Sequence, residues 1–230
     1  LGDDDMVTMC RQAAERLRKR PLPNYGNKEA AALRIISGLS KGTTDRDVLL
    51  KEGPRGFSTF YGYYMLEGLA REGRFEEAVD IIKKYWGGML NLGATTFWED
   101  FDYDDLARAS RIDSIVPAGK FDIHADRGTN CYKGLRMSLC HGWASGVTAW
   151  LSRYVLGIMP TEAGFRAVTI EPHLAGCNEV LGSFPTPFGV ITVNHRRAAN
   201  GTIYSIVEAP EGVRVTLKGA VAKGDGNIGK

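Results

Sequence analysis

Between Met6 and Arg20 the chain has no Gly or Pro, and Met6, Met9, Cys10, Ala13, Ala14 and Leu17 fall at i, i+3, i+4, i+7, i+8 and i+11. That stripe predicts an amphipathic helix, with Arg11, Arg16, Arg18 and Lys19 off the stripe where solvent takes them. Asp3, Asp4 and Asp5 sit at its start, where acidic groups cap an N-terminus. Pro21, Pro23 and Gly26 break the chain, and Asn27 opens a second helix over residues 28–39. Residues 42–47 read as a turn and 47–52 as a short segment. An aromatic helix follows over 58–71, Gly73 stops it, and residues 75–86 place Phe75, Ala78, Val79, Ile82 and Trp86 on one face. Helix, break, helix is an αα-hairpin. Residues 139–156 read as one more helix, with Trp143, Val147, Trp150, Leu151 and Tyr154 at helical spacing.

After Pro160 the period changes. Short strand-like runs cover 167–171, 180–184, 189–194, 202–208 and 213–217, separated by Pro, Gly and Asn turns that include the hairpin signal Asn200-Gly201. Helices followed by strands suggest two units. The boundary is placed near Met159-Pro160, giving a helical unit over 1–160 and a β unit over 161–230. The β unit is small and should lean on the helices. The Gly-rich last dozen residues read as frayed. Between the helical regions, residues 87–138 form a long aperiodic stretch rich in Gly, Asp, Thr and aromatics, which reads as functional rather than disordered.

Composition narrows the classes. The 230 residues are 43% hydrophobic and 24% charged, which is ordinary for a globular protein. Net charge is +2, so no broad footprint for nucleic acid is present. No apolar run approaches the ~20 residues of a membrane span. The chain starts at Leu1, which reads as a processed or truncated N-terminus and leaves a secreted or periplasmic location open. Cys10, Cys131, Cys140 and Cys177 are widely spaced without a C-x-x-C pair, so they read as buried small hydrophobes rather than a zinc site or a disulfide framework. No P-loop, dinucleotide fingerprint or G-x-S-x-G elbow occurs, and no cofactor is implied.

Three segments could carry chemistry. In Gly93-Ala94-Thr95-Thr96-Phe97-Trp98-Glu99-Asp100-Phe101-Asp102, a carboxylate lies beside aromatics, where burial and neighbouring acids can suit it to acid or base work. The same segment also reads as solvated acids over buried rings. In Ser138-Leu139-Cys140-His141-Gly142-Trp143-Ala144-Ser145-Gly146, His141 could contact a sugar hydroxyl and Trp143 could stack on a sugar ring. A structural histidine at a helix start is the alternative. Asp122, His124 and Asp126 mix nitrogen and oxygen ligands but have no matched partner spacing, so a hydrogen-bonded loop is favoured over a metal site. His173 and His195 read as structural.

The first two segments together resemble glycoside hydrolase family 78, the α-L-rhamnosidases. The helix around Phe60-Tyr61, Tyr85-Trp86-Gly87, Ile170-Glu171-Pro172-His173-Leu174 and Gly182-Ser183-Phe184-Pro185-Thr186-Pro187-Phe188-Gly189 fit the same pattern. The resemblance runs from residue 55 to 217. It implies part of an (α/α)6 six-hairpin barrel followed by a C-terminal β-sandwich, and inverting hydrolysis of terminal α-L-rhamnosides. It implies Glu99 as the general base, His141 as a sugar contact, Trp98 lining the site and Trp143 as a further sugar-binding candidate. The family's general acid lies earlier, in an acidic, Arg-containing motif that Asp3, Asp4 and Asp5 do not match. About five or six helices are predicted, half of what six closed hairpins require. The expectation is a C-terminal portion that holds the base and lacks the acid, with the remainder of the barrel as its partner. A separate chain supplying the other half, or an inactive remnant, would fit the same count. A non-catalytic carbohydrate-binding module, and a six-hairpin glycosidase for another sugar, are the alternatives.

Overall fold

The computed structural model describes residues 2–126 and 137–223. Helix α1 spans Asp4–Arg18, and the Asp3 carboxylate accepts the Met6 N–H at its start. None of its residues is buried, and Met6, Met9 and Leu17 are each about half exposed. The apolar stripe is therefore present but faces solvent. Helix α2 spans Lys28–Ile36, capped by the Asn27 side chain on Ala30 N, and α3 spans Thr44–Leu50. The turn before α2 and the start of α3 are tied by the buried Asp45 carboxylate, which accepts from Asn24 at 2.7 Å and Arg34 at 3.0 Å.

Helix α4 spans Gly62–Arg71, and its N-terminal edge differs from the expected start at 58. The Ser58 hydroxyl accepts the Tyr61 N–H and holds that stretch as a turn. Helix α5 spans Phe75–Asn91 and runs past Gly87-Gly88, where the sequence pattern had ended it. At Gly88 the Leu106 side chain packs close to the bare backbone, where a Cβ would meet it at 2.9 Å. A 3-10 turn over Tyr103–Ala107 and the short helix α6, Ile123–Asp126, follow. The last helical element also starts later than expected. It begins with a 3-10 turn over Gly142–Ser145, continues as α7 over Gly146–Trp150, and closes in a π-type turn over Leu151–Val155.

These elements share one core that includes Leu49, Met65, Leu69, Tyr85, Trp98 and Trp150. Buried in the same layer is a charge. The Glu67 carboxylate of α4 accepts the Tyr154 hydroxyl at 2.8 Å, with Arg71 at 3.6 Å and Arg153 at 3.9 Å. That contact clamps the π-type turn onto α4. Between α5 and α7 an apolar groove of about 490 Å³ stays open, walled by Ile82, Trp86, Met89, Leu90, Phe97 and Leu151.

Helices then give way to sheets. Strands β1 (Ile158–Pro160) and β2 (Ala167–Ile170) pair antiparallel, and β2 pairs parallel with β6 (Arg214–Leu217). The second sheet runs β3 (Glu179–Thr186), β4 (Gly189–Arg197), β5 (Ile203–Glu208) and β7 (Val221–Ala222). The β4–β5 turn is the Asn200-Gly201 signal, with Gly201 at φ 85°. The strands β1 and β7 lack a sequence pattern of their own because they are two or three residues long and lie at sheet edges. Ile158, Val168, Ile170, Ile191, Val193, Val207 and Val213 join the two sheets in a second core.

The junction of helices and sheets is built by Gly157, His195 and His173. Gly157 sits at φ 72°, and a Cβ there would lie 2.3 Å from the Glu171 carbonyl carbon, so only Gly fits. His195 is fully buried, bonded to the Ser205 hydroxyl at 2.7 Å and to the Leu156 carbonyl at 3.0 Å. The His173 ring stacks on Phe75 at 3.7 Å. Both histidines are structural, and burial holds both below the usual imidazole pKa. The cysteine expectation is corrected: Cys10 and Cys140 are exposed, Cys177 is half-buried, and Cys131 lies outside the described residues. Cys10 is exposed because its whole helix is. No helix among the described residues is long and apolar enough to cross a membrane.

Candidate functional site

The two motif segments lie side by side, although the residues that bond across them are 39 or more apart in sequence. Glu99 N–H donates to the Ser138 carbonyl at 2.9 Å, and His141 N–H donates to the Phe97 carbonyl at 2.7 Å. The Thr96 hydroxyl adds a bond to the Leu139 carbonyl. The pairing explains why the helix expected from 139 begins only at Gly142: residues 138–141 are not helical, and Ser138, Leu139 and His141 use backbone groups on the neighbouring segment. Gly146 lets the following helix press onto α4, since a Cβ there would meet the Tyr63 Cβ at 2.8 Å.

Glu99 is 9% exposed and, besides its N–H bond to Ser138, accepts three hydrogen bonds. Its Oε2 accepts the Ser138 N–H at 2.9 Å. Its carbonyl accepts both the Trp143 indole N–H at 2.9 Å and the Thr59 hydroxyl. Just beyond, the buried Tyr85 of α5 donates its hydroxyl to the Phe101 carbonyl at 2.5 Å. A carboxylate has two oxygens and about four acceptor sites. Here Oε2 is committed to the backbone, and Oε1 takes no hydrogen bond from any described residue. One oxygen anchored, and the other without a partner among the described residues, is an arrangement that lets a carboxylate hold its direction while taking a proton.

His141 is half-buried and lies against Trp143, with ring centroids 4.3 Å apart. Its Nδ1 is buried without a partner among the described residues. Trp143 is 48% exposed, so one end of its indole holds Glu99 while the rings look outward. Trp98 is placed differently. It is fully buried and packed edge-on against Phe101 at 5.9 Å, in the core rather than on an open wall of the site. The neighbouring acids have backbone duties. Asp102 accepts the Asp104 N–H at 3.0 Å. Asp122 accepts from His124 and Ala125, and Asp126 accepts from Asp122, so this third segment is a capped turn. Among the described residues no group of three His, Cys, Asp or Glu is placed to hold a metal.

Thr59 was not singled out from the sequence. A lone Thr before an aromatic helix carries no periodic or motif signal, and only the fold brings it to Glu99. Phe60 and Tyr61 are 39% and 40% exposed and continue the aromatic surface from Trp143.

Residues 157–226 match the model of the bacterial alpha-L-rhamnosidase C-terminal domain. A curated relative, an alpha-L-rhamnosidase of Streptomyces avermitilis, is 26% identical over 126 residues, which is 54% of this chain and 10% of that protein. Among solved structures, the native α-L-rhamnosidase from Aspergillus terreus superposes with a TM-score of 0.70 at 16% identity, over 93% of this chain and 25% of that one. A GH78 family rhamnosidase of Bacillus sp. GL1 superposes with a TM-score of 0.62 at 24% identity, over 86% of this chain and 20% of that one. At these identities the structural likeness is one of fold: helices, then β sheets, as in the C-terminal region of those enzymes. The chain spans about a tenth of the curated relative and a fifth to a quarter of the solved structures.

Proposed function

We propose, on the premise that sequence and fold match the C-terminal portion of glycoside hydrolase family 78 rhamnosidases, that this chain bears the general base of an inverting α-L-rhamnosidase. The observation that carries the reading is the state of Glu99, with Oε2 tied to Ser138 N–H, its carbonyl tied to the Trp143 indole, and Oε1 without a hydrogen bond from any described residue. In the proposed reaction Glu99 Oε1 takes a proton from a water as that water attacks the anomeric carbon. A second carboxyl group protonates the departing oxygen from the opposite face of the sugar, about 6.5–9.5 Å away. That acid belongs to the remainder of the six-hairpin barrel, of which residues 1–160 form part, with residues 161–230 as the C-terminal β domain. His141 contacts a sugar hydroxyl, Trp98 supports the site from the core, and Trp143 serves both as a wall and as a holder of the Glu99 backbone.

The test compares release of the chromophore from an aryl α-L-rhamnoside by the complete polypeptide carrying this chain and by its Glu99→Gln variant. Removing a positioned base lowers turnover by about 10²–10⁴-fold, with sugar binding largely kept. Turnover near the wild-type value in the variant would overturn the assignment of Glu99. Release from other aryl glycosides, but not from the rhamnoside, would move the reading to another sugar. Sugar binding without any release would move it to a binding module.

A further inference from the structure

The second sheet has an outer face that the Glu99 site does not use. Along β4, His195 turns inward to the Leu156 carbonyl, so its neighbours Asn194 and Arg196 turn outward. In β5, Ser205 is buried, and Tyr204 and Ile206 on either side of it face out. Arg196 lies directly across from Tyr204, and Asn194 directly across from Ile206, so the four form two adjacent cross-strand pairs. Lys223 follows β7, and its N–H donates to the Ser205 carbonyl at 2.9 Å. Its Nζ stands 5.8 Å from the centre of the Tyr204 ring, whose face attracts the ammonium. Together with Arg197, these residues line a hollow of about 290 Å³.

Charge and hydrogen-bonding capacity decide what the hollow takes. Arg196 is engaged by Glu179, whose two carboxylate oxygens accept it at 2.9 Å and 3.0 Å. The side chains of Arg197 and Lys223 have no carboxylate partner among the described residues, and no Asp or Glu lines the hollow. Two uncompensated cations favour an anionic occupant. A bare anion would leave the rest of the lining unused. Ile206 is 43% exposed and offers an apolar patch, while the Asn194 amide and the Tyr204 hydroxyl can each donate and accept. Sugar hydroxyls need both kinds of partner, and the C–H face of a pyranose suits the apolar patch. A nucleic-acid strand needs cations tracking its backbone and free rings for its bases, and the one ring here already faces Lys223. We propose that the outer face of β4, β5 and β7 is a second sugar site that takes a hexuronate unit of an acidic polysaccharide. Arg197 and Lys223 hold the carboxylate, and Asn194 and Tyr204 meet the hydroxyls. The choice of a sugar as carrier of that carboxylate rests on the glycoside hydrolase reading; the hollow itself does not involve Glu99.

The experiment is calorimetric titration of the full 230-residue chain at low ionic strength. The ligands are methyl β-D-glucuronide and methyl α-D-galacturonide, their neutral counterparts methyl β-D-glucoside and methyl α-D-galactoside, sodium acetate, and a short oligothymidylate. At least one uronide should bind about five- to twentyfold tighter than its neutral counterpart, and tighter than acetate, with the preference shrinking as salt is added. Arg197→Ser/Lys223→Ser should bring the ratio of uronide to neutral sugar close to one, with folding checked by the melting transition. Asn194→Ala should weaken uronide and neutral sugar alike and leave their ratio in place. Glu99→Gln should bind the uronides unchanged. No binding of either uronide, affinities equal to those of the neutral sugars, or a ratio unchanged in the double variant would overturn the site. Acetate bound as tightly as the uronides would overturn the sugar as occupant, and so would oligothymidylate bound more tightly than they are and lost in the double variant. Uronide binding as expected, in a polypeptide that releases nothing from the aryl rhamnoside, would support this site and count against the Glu99 reading alone.

Discussion

Tyr154→Phe isolates the buried clamp between the π-type turn and α4. Tyr154 donates its hydroxyl to Glu67 Oε1 at 2.8 Å, and the Glu67 side chain is 7% exposed. Burial first, and the Glu67 carboxylate second, push the phenol pKa well above its usual value, so Tyr154 remains a donor at neutral pH. Glu67 Oε2 already lacks a partner among the described residues. Removing the hydroxyl leaves Oε1 facing only guanidinium groups at 3.6 Å and 3.9 Å, both half exposed to water. The ring itself stays, packed on Trp150 at 5.2 Å and Phe75 at 5.8 Å, so no cavity term enters. A hydrogen bond to a charged group contributes about 1.5–3 kcal/mol net, and that is the expected loss. For a chain of this size it lowers Tm by about 3–12 °C. Urea unfolding at pH 7, followed by circular dichroism and by tryptophan fluorescence, reads the change. Glu67→Met alone should also destabilise, because it strands the Tyr154 hydroxyl. The double variant Glu67→Met/Tyr154→Phe should regain most of the loss, since removing both partners is nearly neutral. A Tyr154→Phe cost below about 0.5 kcal/mol, or strictly additive variants, would refute the clamp.

Two other expectations concern the first fifty residues. Lys28 is buried, donates to the Gly53 carbonyl at 2.7 Å, and is lowered from 10.5 to about 8 by burial, against the pull of Glu52 and Glu29. The unfolded chain then binds more protons between pH 8 and 10.5, so this group makes stability rise across that window, and Lys28→Met should flatten the rise in pH-dependent urea midpoints. Helix α1 exposes Met6, Met9 and Leu17, and the groove between α5 and α7 is open and apolar, so the chain should associate with rising concentration. Met9→Lys/Leu17→Lys should shift light scattering toward the monomer, whereas a clean monomer of the unsubstituted chain with cooperative melting would contradict the expectation.

Much of the secondary structure was legible from local pattern. The stripes of α1 and α5, the Asn27 cap, the five longer strands and the Asn200-Gly201 turn all follow from the spacing of apolar residues and from turn chemistry, which short stretches of chain carry by themselves. The failures share a cause. α5 continues through Gly87-Gly88, and Gly88 there packs against Leu106, eighteen residues away. Residues 138–141 stay out of the helix because Phe97 and Glu99 bond to the backbone of His141 and Ser138. Each of these outcomes is set by a partner distant in sequence, and periodicity carries no information about it.

The site divides in the same way. That the segments carrying Glu99 and His141 go together was suggested by the family resemblance of their motifs, and the structure lays the two segments side by side. Their residues' separate duties could not be read from the motifs. Burial puts Trp98 in the core, the indole N–H turns Trp143 into a holder of Glu99, and Thr59 joins only because the turn before α4 lies against the segment that carries Glu99. Whether the apolar stripe of α1 is covered was equally beyond local pattern: hydrophobic spacing says which side of a helix prefers burial, and only the packing of the rest of the chain decides whether anything lies against it.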